Sequence, residues 1–124
     1  MKSIKILLVD DDAFLRDMYA TKFSEIGHTV DVAETAERAL TKLREHEYDA
    51  VLMDMIMPGM NGVELLTHLK NEKLGGDPIC IMLSNQSEAA DRDAALKAGA
   101  EGYIVKAELI PSEVVAEVSK FFSK

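Results

Sequence analysis

The chain has a single cysteine, a shortage of basic residues and no long apolar run. Cys80 is the one cysteine among 124 residues, so an internal disulfide is excluded, and its apolar surroundings are typical of a buried thiol in a reducing compartment. No apolar run approaches the roughly 20 residues that a membrane-spanning helix needs. The strand pattern follows Met1, Lys2 and Ser3 directly, which argues against a signal peptide. These absences predict a soluble cytoplasmic protein without membrane insertion.

Acidic residues outnumber basic ones. The chain has 14 Lys and Arg against 22 Asp and Glu, with a net charge of −8. Because contacts with nucleic-acid phosphates need clustered Lys and Arg, we expect no direct nucleic-acid binding. Glycine-rich nucleotide loops of the Walker type or the Gly-x-Gly-x-x-Gly type are also missing. The length and a hydrophobic content of 48% suit one domain over residues 1–124 with a core of its own.

Short apolar runs alternate with helical patterns along the chain. Strands are predicted at Ile4–Val9, Thr29–Ala33, Val51–Asp54, Ile79–Leu83 and Gly102–Val105. Helices are predicted at Ala13–Ile26, Thr35–His46, Asn61–Lys73, Ser87–Ala98 and Pro111–Phe122. The alternation predicts an α/β fold in which a doubly wound parallel sheet has helices on both faces.

Reactive polar side chains lie at or next to the carboxyl ends of four of the five strands. Asp10 and Asp11 follow the first, Asp54 ends the third, Ser84 follows the fourth and Lys106 follows the fifth. Because parallel strands end at one edge of a sheet, these side chains should converge there. Each residue alone has a structural explanation, such as a turn capped by Asp54. Their joint placement favours a functional site.

The convergent groups suggest phosphoryl chemistry. Three carboxylates repel one another unless a cation lies between them, and hard carboxylate oxygens select Mg²⁺ or a similar ion such as Mn²⁺. Asp54 could attack phosphorus and form an acyl phosphate. Lys106 would neutralise charge on the transferred group, and Ser84 could donate its hydroxyl to a phosphoryl oxygen.

In these features the chain resembles the receiver domain of bacterial two-component response regulators, in its chemotaxis-regulator-like, single-domain form. The matching motifs are Val9-Asp10-Asp11, Asp54-x-x-Met57-Pro58-x-x-x-Gly62, Ser84 and Tyr103-x-x-Lys106. The resemblance covers essentially the whole chain. It implies a flavodoxin-like fold with five strands in the order 2-1-3-4-5, five helices, and no output domain within residues 1–124.

The resemblance also implies how the site works. Asp54 would accept a phosphoryl group from a phosphohistidine on a sensor histidine kinase or histidine phosphotransfer protein. Asp10, Asp11, Asp54 and the backbone carbonyl of Ile56 would hold the Mg²⁺ ion. Lys106 would pair with the phosphoryl group.

The same resemblance implies a switch rather than an enzyme. Ser84 would move toward the phosphoryl group, and Tyr103 would turn inward behind it. The face formed by the fourth helix, fifth strand and fifth helix would then change its affinity for a downstream protein, or the phosphate would be relayed. We expect self-catalysed phosphorylation from small donors, slow autodephosphorylation, and a monomer or a phosphorylation-dependent dimer.

Several positions depart from the family pattern. Ala107 follows the lysine where a proline after a cis bond is usual, and a cis bond before a non-proline residue costs about 2.5–4 kcal/mol. A trans bond or an adjusted loop is therefore predicted there. Asn85 replaces a small residue, and it could narrow phosphoryl access or cap the next helix. Ile56 can exclude water whereas Gln86 could orient it, so the lifetime of the acyl phosphate is left open.

Other residues are given structural roles. Asp12 should cap the first helix, and the three histidines, His28, His46 and His68, lack metal spacing and should be exposed or satisfied. The first helix is predicted to bury Leu15, Met18, Phe23 and Ile26, while Met55 and Met60 are expected to be exposed around the site.

Three other readings compete with a stand-alone receiver. The chain could be a receiver excised from a longer regulator or hybrid kinase. It could be a phosphorylation-independent interaction module, although the complete set of acids, hydroxyl and lysine counts against this. An α/β enzyme, such as an aspartyl phosphatase or a flavin-binding protein, would need a second domain to enclose its substrate.

Overall fold

In the computed structural model, which describes residues 3–85, 89–106 and 109–122, strands and helices alternate. The strands are β1 Lys5–Val9, β2 Thr29–Ala33, β3 Ala50–Asp54, β4 Ile79–Ser84 and β5 Gly102–Val105. The helices are α1 Ala13–Glu25, α2 Ala36–Glu45, α3 Gly62–Glu72, α4 Ala89–Lys97 and α5 Pro111–Ser119. Among these helices none has the length and apolar character needed to span a bilayer.

The strands form one parallel sheet in the order β2-β1-β3-β4-β5, which confirms the implied fold class. The strand register brings the carboxyl ends to one level, with Val9 opposite Met53 and Asp54 opposite Leu83. The direction of winding reverses between β1 and β3. In open α/β sheets this reversal leaves a crevice at the carboxyl edge, where ligands bind.

Two apolar layers hold the helices on the sheet. On one face, α2, α3 and α4 pack on a cluster that includes Leu7, Val51 and Cys80. On the other face, α1 and α5 pack on a cluster that includes Leu8 and Leu52. Successive strand residues face opposite sides, so a strand covered on both faces must be apolar at nearly every position. This requirement explains the continuous apolar runs of the sequence.

Side-chain caps fix where the helices begin. Asp12 and Thr35 each accept a hydrogen bond of 3.1 Å from the backbone N–H three residues further along. Asn61 and Glu64 form the reciprocal capping box, with bonds of 2.9 and 3.0 Å. The contact of Asp12 confirms its predicted role as a cap, and each cap typically stabilises a helix start by about 1 kcal/mol.

The buried face of α1 differs from the prediction. Tyr19 and Phe23 are 2% and 0% exposed, whereas Ile26 is 47% exposed and Met18 is only half-buried. The helix ends at Glu25, so Ile26 lies beyond its last turn. A spacing of four residues defines the inward stripe, and this spacing passes through Tyr19 rather than Met18.

Met55 and Met60 are also placed differently from the prediction. Met55 is buried and Met60 is half-buried against the core. The loop after β3 folds back, because the N–H of Met55 donates to the carbonyl of Leu83 and its carbonyl accepts from Gly62, both at 2.9 Å. These two bonds draw the loop into the protein instead of leaving it exposed.

Other predictions concern the ends of elements. The helix α5 ends at Ser119, three residues before the predicted end at Phe122. The predicted start of the fourth helix at Ser87, the water-orienting role of Gln86 and the trans bond at Ala107 lie outside the described residues.

His28 is buried in the structure. Its Nδ1 atom accepts a hydrogen bond of 3.2 Å from the backbone N–H of Ile4, one residue before β1. This nitrogen must be unprotonated to accept, and burial lowers the pKa of His28 below its ordinary value. The ring therefore favours the neutral form.

Acidification should destabilise the fold through His28. The unfolded chain takes up this proton first, so the stabilising contribution is lost as the pH falls below about 6.5 toward the folded pKa. Urea unfolding at about pH 7.5 and about pH 5.5 should show a larger loss for the wild type than for His28→Gln. Equal losses in the two proteins would contradict this role.

Cys80 should resist thiol reagents in the folded protein. Its thiol is fully buried and donates to the carbonyl of Pro78 at 3.6 Å, and burial raises its pKa to about 12. Because the thiolate is the reactive form, we expect negligible labelling by a disulfide reagent at mildly alkaline pH. Labelling should be rapid in concentrated urea. Rapid labelling without denaturant would show that β4 opens.

Candidate functional site

Three ionisable side chains meet at the carboxyl edge of the sheet. Asp10 follows β1, Asp54 ends β3 and Lys106 follows β5. The Nζ atom of Lys106 lies 3.1 Å from Oδ1 of Asp54 and 3.2 Å from Oδ2 of Asp10. All three residues are buried, with 0% exposure for Asp10, 7% for Asp54 and 6% for Lys106. The predicted convergence of these side chains is present.

The turn after β1 is held by hydrogen bonds to Asp10. Its Oδ1 atom accepts from the backbone N–H of Asp12 at 2.9 Å. Its carbonyl accepts from the Arg16 guanidinium at 2.9 Å. Sequence reasoning missed Arg16, because an arginine one turn into a helix ordinarily reads as an exposed residue. Its bond fixes the backbone from which Asp10 and Asp11 project.

Asp11 completes an acidic cluster with Asp10 and Asp54. One carboxylate oxygen from each lies within 4.8 Å of the others. Three carboxylates against the one ammonium of Lys106 leave an excess of negative charge, which a divalent cation would neutralise. Carboxylate oxygens at the edge of a cleft suit Mg²⁺, which keeps several water ligands. The residues present therefore fit the predicted ion, while the carbonyl of Ile56 remains a predicted ligand.

The two partners of the central ion pair respond differently to burial. Burial raises the pKa of Asp54 to about 6, against the opposing effect of Lys106 and with a further increase from Asp10 and Asp11. Burial alone would lower the pKa of Lys106. The negative charges of Asp54 and Asp10 have the larger combined effect and raise the pKa of the ammonium. The pKa values of Asp54 and Lys106 can both be raised because one ammonium is shared by two carboxylates. Lys106 stays cationic, and Asp54 takes up a proton at a higher pH than an ordinary aspartate does.

An open cleft gives access to this cluster. Its volume is about 370 Å³. Acidic, hydroxyl, amide, ammonium and aliphatic groups line it: Asp11, Asp12, Leu15, Asp54, Ile56, Ser84, Asn85 and Lys106. Ser84 is almost completely buried, whereas Ile56 is 62% exposed and Asn85 is also exposed. A ligand would therefore pass Ile56 and Asn85 to reach the carboxylate of Asp54.

Like Asp10, which contacts Lys106 instead, Tyr103 is a predicted site residue that does not line the cleft. It lies on β5 opposite Met82 and is half-buried against the cluster beneath α2, α3 and α4. The structure thus groups Asp54 and Lys106 with the other cleft residues and leaves Tyr103 behind them. Its predicted switching movement stays a prediction.

Gly62 allows the loop after β3 to close against the site. A Cβ atom at this position would collide with the carbonyl oxygen of Asp54 and would lie 2.7 Å from Sδ of Met82. Only a residue without a side chain permits so close an approach. The motif glycine therefore allows α3 to start directly behind the end of β3.

A larger groove lies at the opposite edge of the sheet. It has a volume of about 550 Å³ and includes Leu69, Lys70, Lys73 and Asp77 among its lining residues. Lys70 is paired with Glu101 at 3.5 Å, and the lining contains no nucleophile beside a base or acid cluster. The smaller cleft at the carboxyl edge remains the better candidate.

Comparison with known proteins agrees with this geometry. The family model described as "Response regulator receiver domain" matches residues 6–118. Transcriptional regulatory protein ResD of Bacillus subtilis is 38% identical over 92% of this chain and 46% of its own length. Phosphate regulon transcriptional regulatory protein PhoB of Escherichia coli is 34% identical over 92% of this chain and 49% of its own length. The chain thus spans about half the length of these relatives.

Solved structures extend the comparison to three dimensions. A CheY-like response regulator receiver domain protein from Methanospirillum hungatei has a TM-score of 0.86 and 27% identity, covering 96% of this chain and 93% of its own. TrrA from Thermotoga maritima, solved in complex with Mg(2+)-BeF, has a TM-score of 0.81 and 33% identity. That match covers 97% of this chain and 98% of the other.

Mg²⁺ should stabilise the fold through the acidic cluster. At ten times its dissociation constant, a ligand specific for the folded state adds about 1.4 kcal/mol, which corresponds to an increase of about 4–7 °C in Tm. Asp11→Asn should abolish most of this increase because it removes the exposed ligand of the cluster. Thermal unfolding followed by circular dichroism, with and without Mg²⁺, measures it.

The matched control is Asp17→Asn, which neutralises an exposed acid of α1 outside the cluster. It should keep the full Mg²⁺-dependent increase in Tm. Equal increases in wild type, Asp11→Asn and Asp17→Asn would show that the ion binds elsewhere.

Proposed function

Since the chain belongs to the response regulator receiver domain family of two-component systems, we propose that it accepts a phosphoryl group on Asp54. One observation supports this most strongly. A buried carboxylate at the floor of an open cleft lies 3.1 Å from a cationic lysine, with Asp10 and Asp11 beside it. A nucleophile and a charge-neutralising group are therefore adjacent at an accessible position.

The proposed donor is a phosphohistidine on a sensor histidine kinase or a histidine phosphotransfer protein. A carboxylate oxygen of Asp54 attacks the phosphorus atom, an oxygen–phosphorus bond forms, and the phosphorus–nitrogen bond to the imidazole breaks. The electron pair of that bond leaves with the imidazole nitrogen. The product is an acyl phosphate on Asp54 and an unmodified histidine on the donor. Small phosphodonors would react in the same way.

The residues around Asp54 have separate tasks in this reaction. Lys106, held cationic by two carboxylates, neutralises charge on the phosphoryl oxygens. Asp10, Asp11 and Asp54, with the carbonyl of Ile56, would hold Mg²⁺. The ion, when bound, would neutralise further charge on the transferred group. Ser84 would donate its hydroxyl to a phosphoryl oxygen from the end of β4.

Phosphorylation would change the protein by electrostatics. The group adds about −1.5 to −2 charges and strong acceptors, and Ser84 and Lys106 gain a partner that exists only in that state. Both residues connect to β5, since Ser84 lies opposite Val105 and Lys106 follows it. The predicted inward turn of Tyr103 would occur on the same strand. A change in the face formed by α4, β5 and α5 would then bias the binding of a downstream protein.

The proposed output depends on the downstream protein or output domain that residues 1–124 control. ResD and PhoB are named as transcriptional regulatory proteins, and each is about twice as long as the matched region. The prediction of no direct nucleic-acid binding therefore concerns residues 1–124 alone. A downstream protein target, a phosphate relay, or an attached output domain in a longer chain are all compatible with the switch.

We propose that the chain is a phosphoacceptor rather than an enzyme that turns over an external substrate. Autodephosphorylation requires water to reach the acyl phosphate from the cleft. The exposed side chain of Ile56 stands at that entrance and has no group to orient water. We therefore propose slow autodephosphorylation.

Incubation with Mg²⁺ and acetyl phosphate, followed by intact-mass measurement, tests the proposal. We expect the wild type to gain the mass of one phosphoryl group because Asp54 is accessible and its charge is neutralised. Asp54→Asn should gain nothing, since its amide is not a nucleophile under these conditions. Omission of Mg²⁺ should suppress the gain in the wild type.

The control variant Asp17→Asn, outside the site, should be modified as efficiently as the wild type. A wild type that gains no phosphoryl mass from acetyl phosphate or from a phosphorylated histidine phosphotransfer protein would refute the proposal. It would favour a phosphorylation-independent interaction module that keeps the receiver fold.

A further inference from the structure

An arginine side chain contacts the backbone of the acidic cluster without pairing with a carboxylate. Arg16 is the fourth residue of α1 and is half-buried. Its Nη1 atom donates to the carbonyl oxygen of Asp10 at 2.9 Å. Among the residues that the structure describes, its guanidinium forms no ion pair. In a chain with an excess of acids, this cation is therefore bonded to a backbone group.

A carboxylate at the usual pairing distance along the chain has another role. Asp12 lies four residues before Arg16, the spacing at which opposite charges commonly pair along a helix. Asp12 caps α1 instead, because its carboxylate accepts from the backbone N–H of Leu15 at 3.1 Å. The guanidinium bonds to the residue two positions further back, where the chain leaves β1.

The bonded carbonyl belongs to the peptide group that joins two predicted Mg²⁺ ligands. This group connects Asp10 to Asp11, and one carboxylate oxygen of each residue belongs to the acidic cluster with Asp54. Because a peptide group is planar, the direction of its carbonyl determines where the backbone of Asp11 lies relative to Asp10. The bond from Arg16 thus acts on both ligands.

Asp10 and Asp11 differ in what else holds them. The two carboxylate oxygens of Asp10 accept from the backbone N–H of Asp12 at 2.9 Å and from the ammonium of Lys106 at 3.2 Å. Asp11 is exposed, and among the described residues its side chain has no hydrogen bond or ion pair. The placement of the Asp11 carboxylate therefore depends on the backbone that Arg16 fixes.

We propose that Arg16 is a positioning residue for the divalent cation. Its guanidinium fixes the peptide group between Asp10 and Asp11, so that both carboxylates stay in the cluster with Asp54. Mg²⁺ demands near-ideal octahedral geometry at short distances, so a small rotation of this peptide group would weaken binding. The inference rests on the proposed Mg²⁺ site and not on phosphoryl transfer.

Position and charge predict opposite effects of removing the guanidinium. Arg16 is a cation, and a cation near the cluster repels Mg²⁺. If its charge alone acted on the ion, Arg16→Met would tighten Mg²⁺ binding. If its hydrogen bond positions the ligands, the same substitution weakens binding. The sign of the change in Kd therefore separates the two roles.

The Kd for Mg²⁺ is measured by titrating the unphosphorylated protein at constant ionic strength and following its backbone amide resonances by NMR. We expect Arg16→Met to raise this Kd about tenfold, since an outer-shell contact to a metal ligand is typically worth about 10–100-fold in affinity. Arg16→Lys keeps a charged donor and should recover part of the loss. The same spectra show whether each variant is folded.

The matched control is Arg44→Met, which removes the same charge at the opposite edge of the sheet. Arg44 lies in the last turn of α2 and pairs with Glu72 at 3.2 Å. Because distant charges are screened, the Kd of this variant should stay within about twofold of the wild type. Urea unfolding without Mg²⁺ measures the stability of each variant. A purely structural role of Arg16 would change that stability and leave the Kd unchanged.

An unchanged or lower Kd for Arg16→Met would overturn the inference, as would a wild type that binds no Mg²⁺. An equal rise in Arg44→Met would overturn it too. Intact-mass measurement with acetyl phosphate tests the phosphoacceptor proposal separately. A wild type that binds Mg²⁺ but gains no phosphoryl group would refute that proposal, and the Kd values would still decide the role of Arg16.

Discussion

The site depends on one ammonium shared by two buried carboxylates. Removing one partner from a buried ion pair typically costs about 3–5 kcal/mol, because a charge is left without compensation. Here Asp54 can relieve part of that cost by taking up a proton, since its pKa is already about 6. The same arrangement keeps Lys106 charged in a poorly solvated place. The protein thus keeps a cation beside Asp54, and the pKa of this carboxylate is raised by the same burial.

The surrounding fold keeps these groups at fixed positions. Hydrogen bonds from Asp12 and Arg16 anchor Asp10, while Gly62 lets the loop after β3 close behind Asp54. Apolar layers on both faces of the sheet prevent the strands from shifting relative to one another. Mobility can then be confined to the rim of the cleft, where Ile56 and Asn85 are exposed. The buried cluster therefore lies beneath an exposed entrance.

Most of the fold could be predicted because its signals are local. Continuous apolar runs marked the strands buried on both faces, and Asp12, Thr35 and Asn61 marked helix starts. The order of the strands could be predicted only from the resemblance to receiver domains, because hydrophobic periodicity does not determine strand order. Residues set by tertiary contacts were missed. Met55 is buried only because its loop bonds to β4, and Arg16 is notable only because its guanidinium reaches the carbonyl of Asp10.

The position of Lys106 on the last strand has a consequence for synthesis of the chain. The sheet edge needs β1, β3 and β5, and Lys106 is 96 residues from Asp10. A ribosome-bound chain that ends before β5 would hold the acidic residues without their ammonium, and their mutual repulsion would oppose closure of the edge. The complete cluster therefore forms only after β5 has joined the sheet.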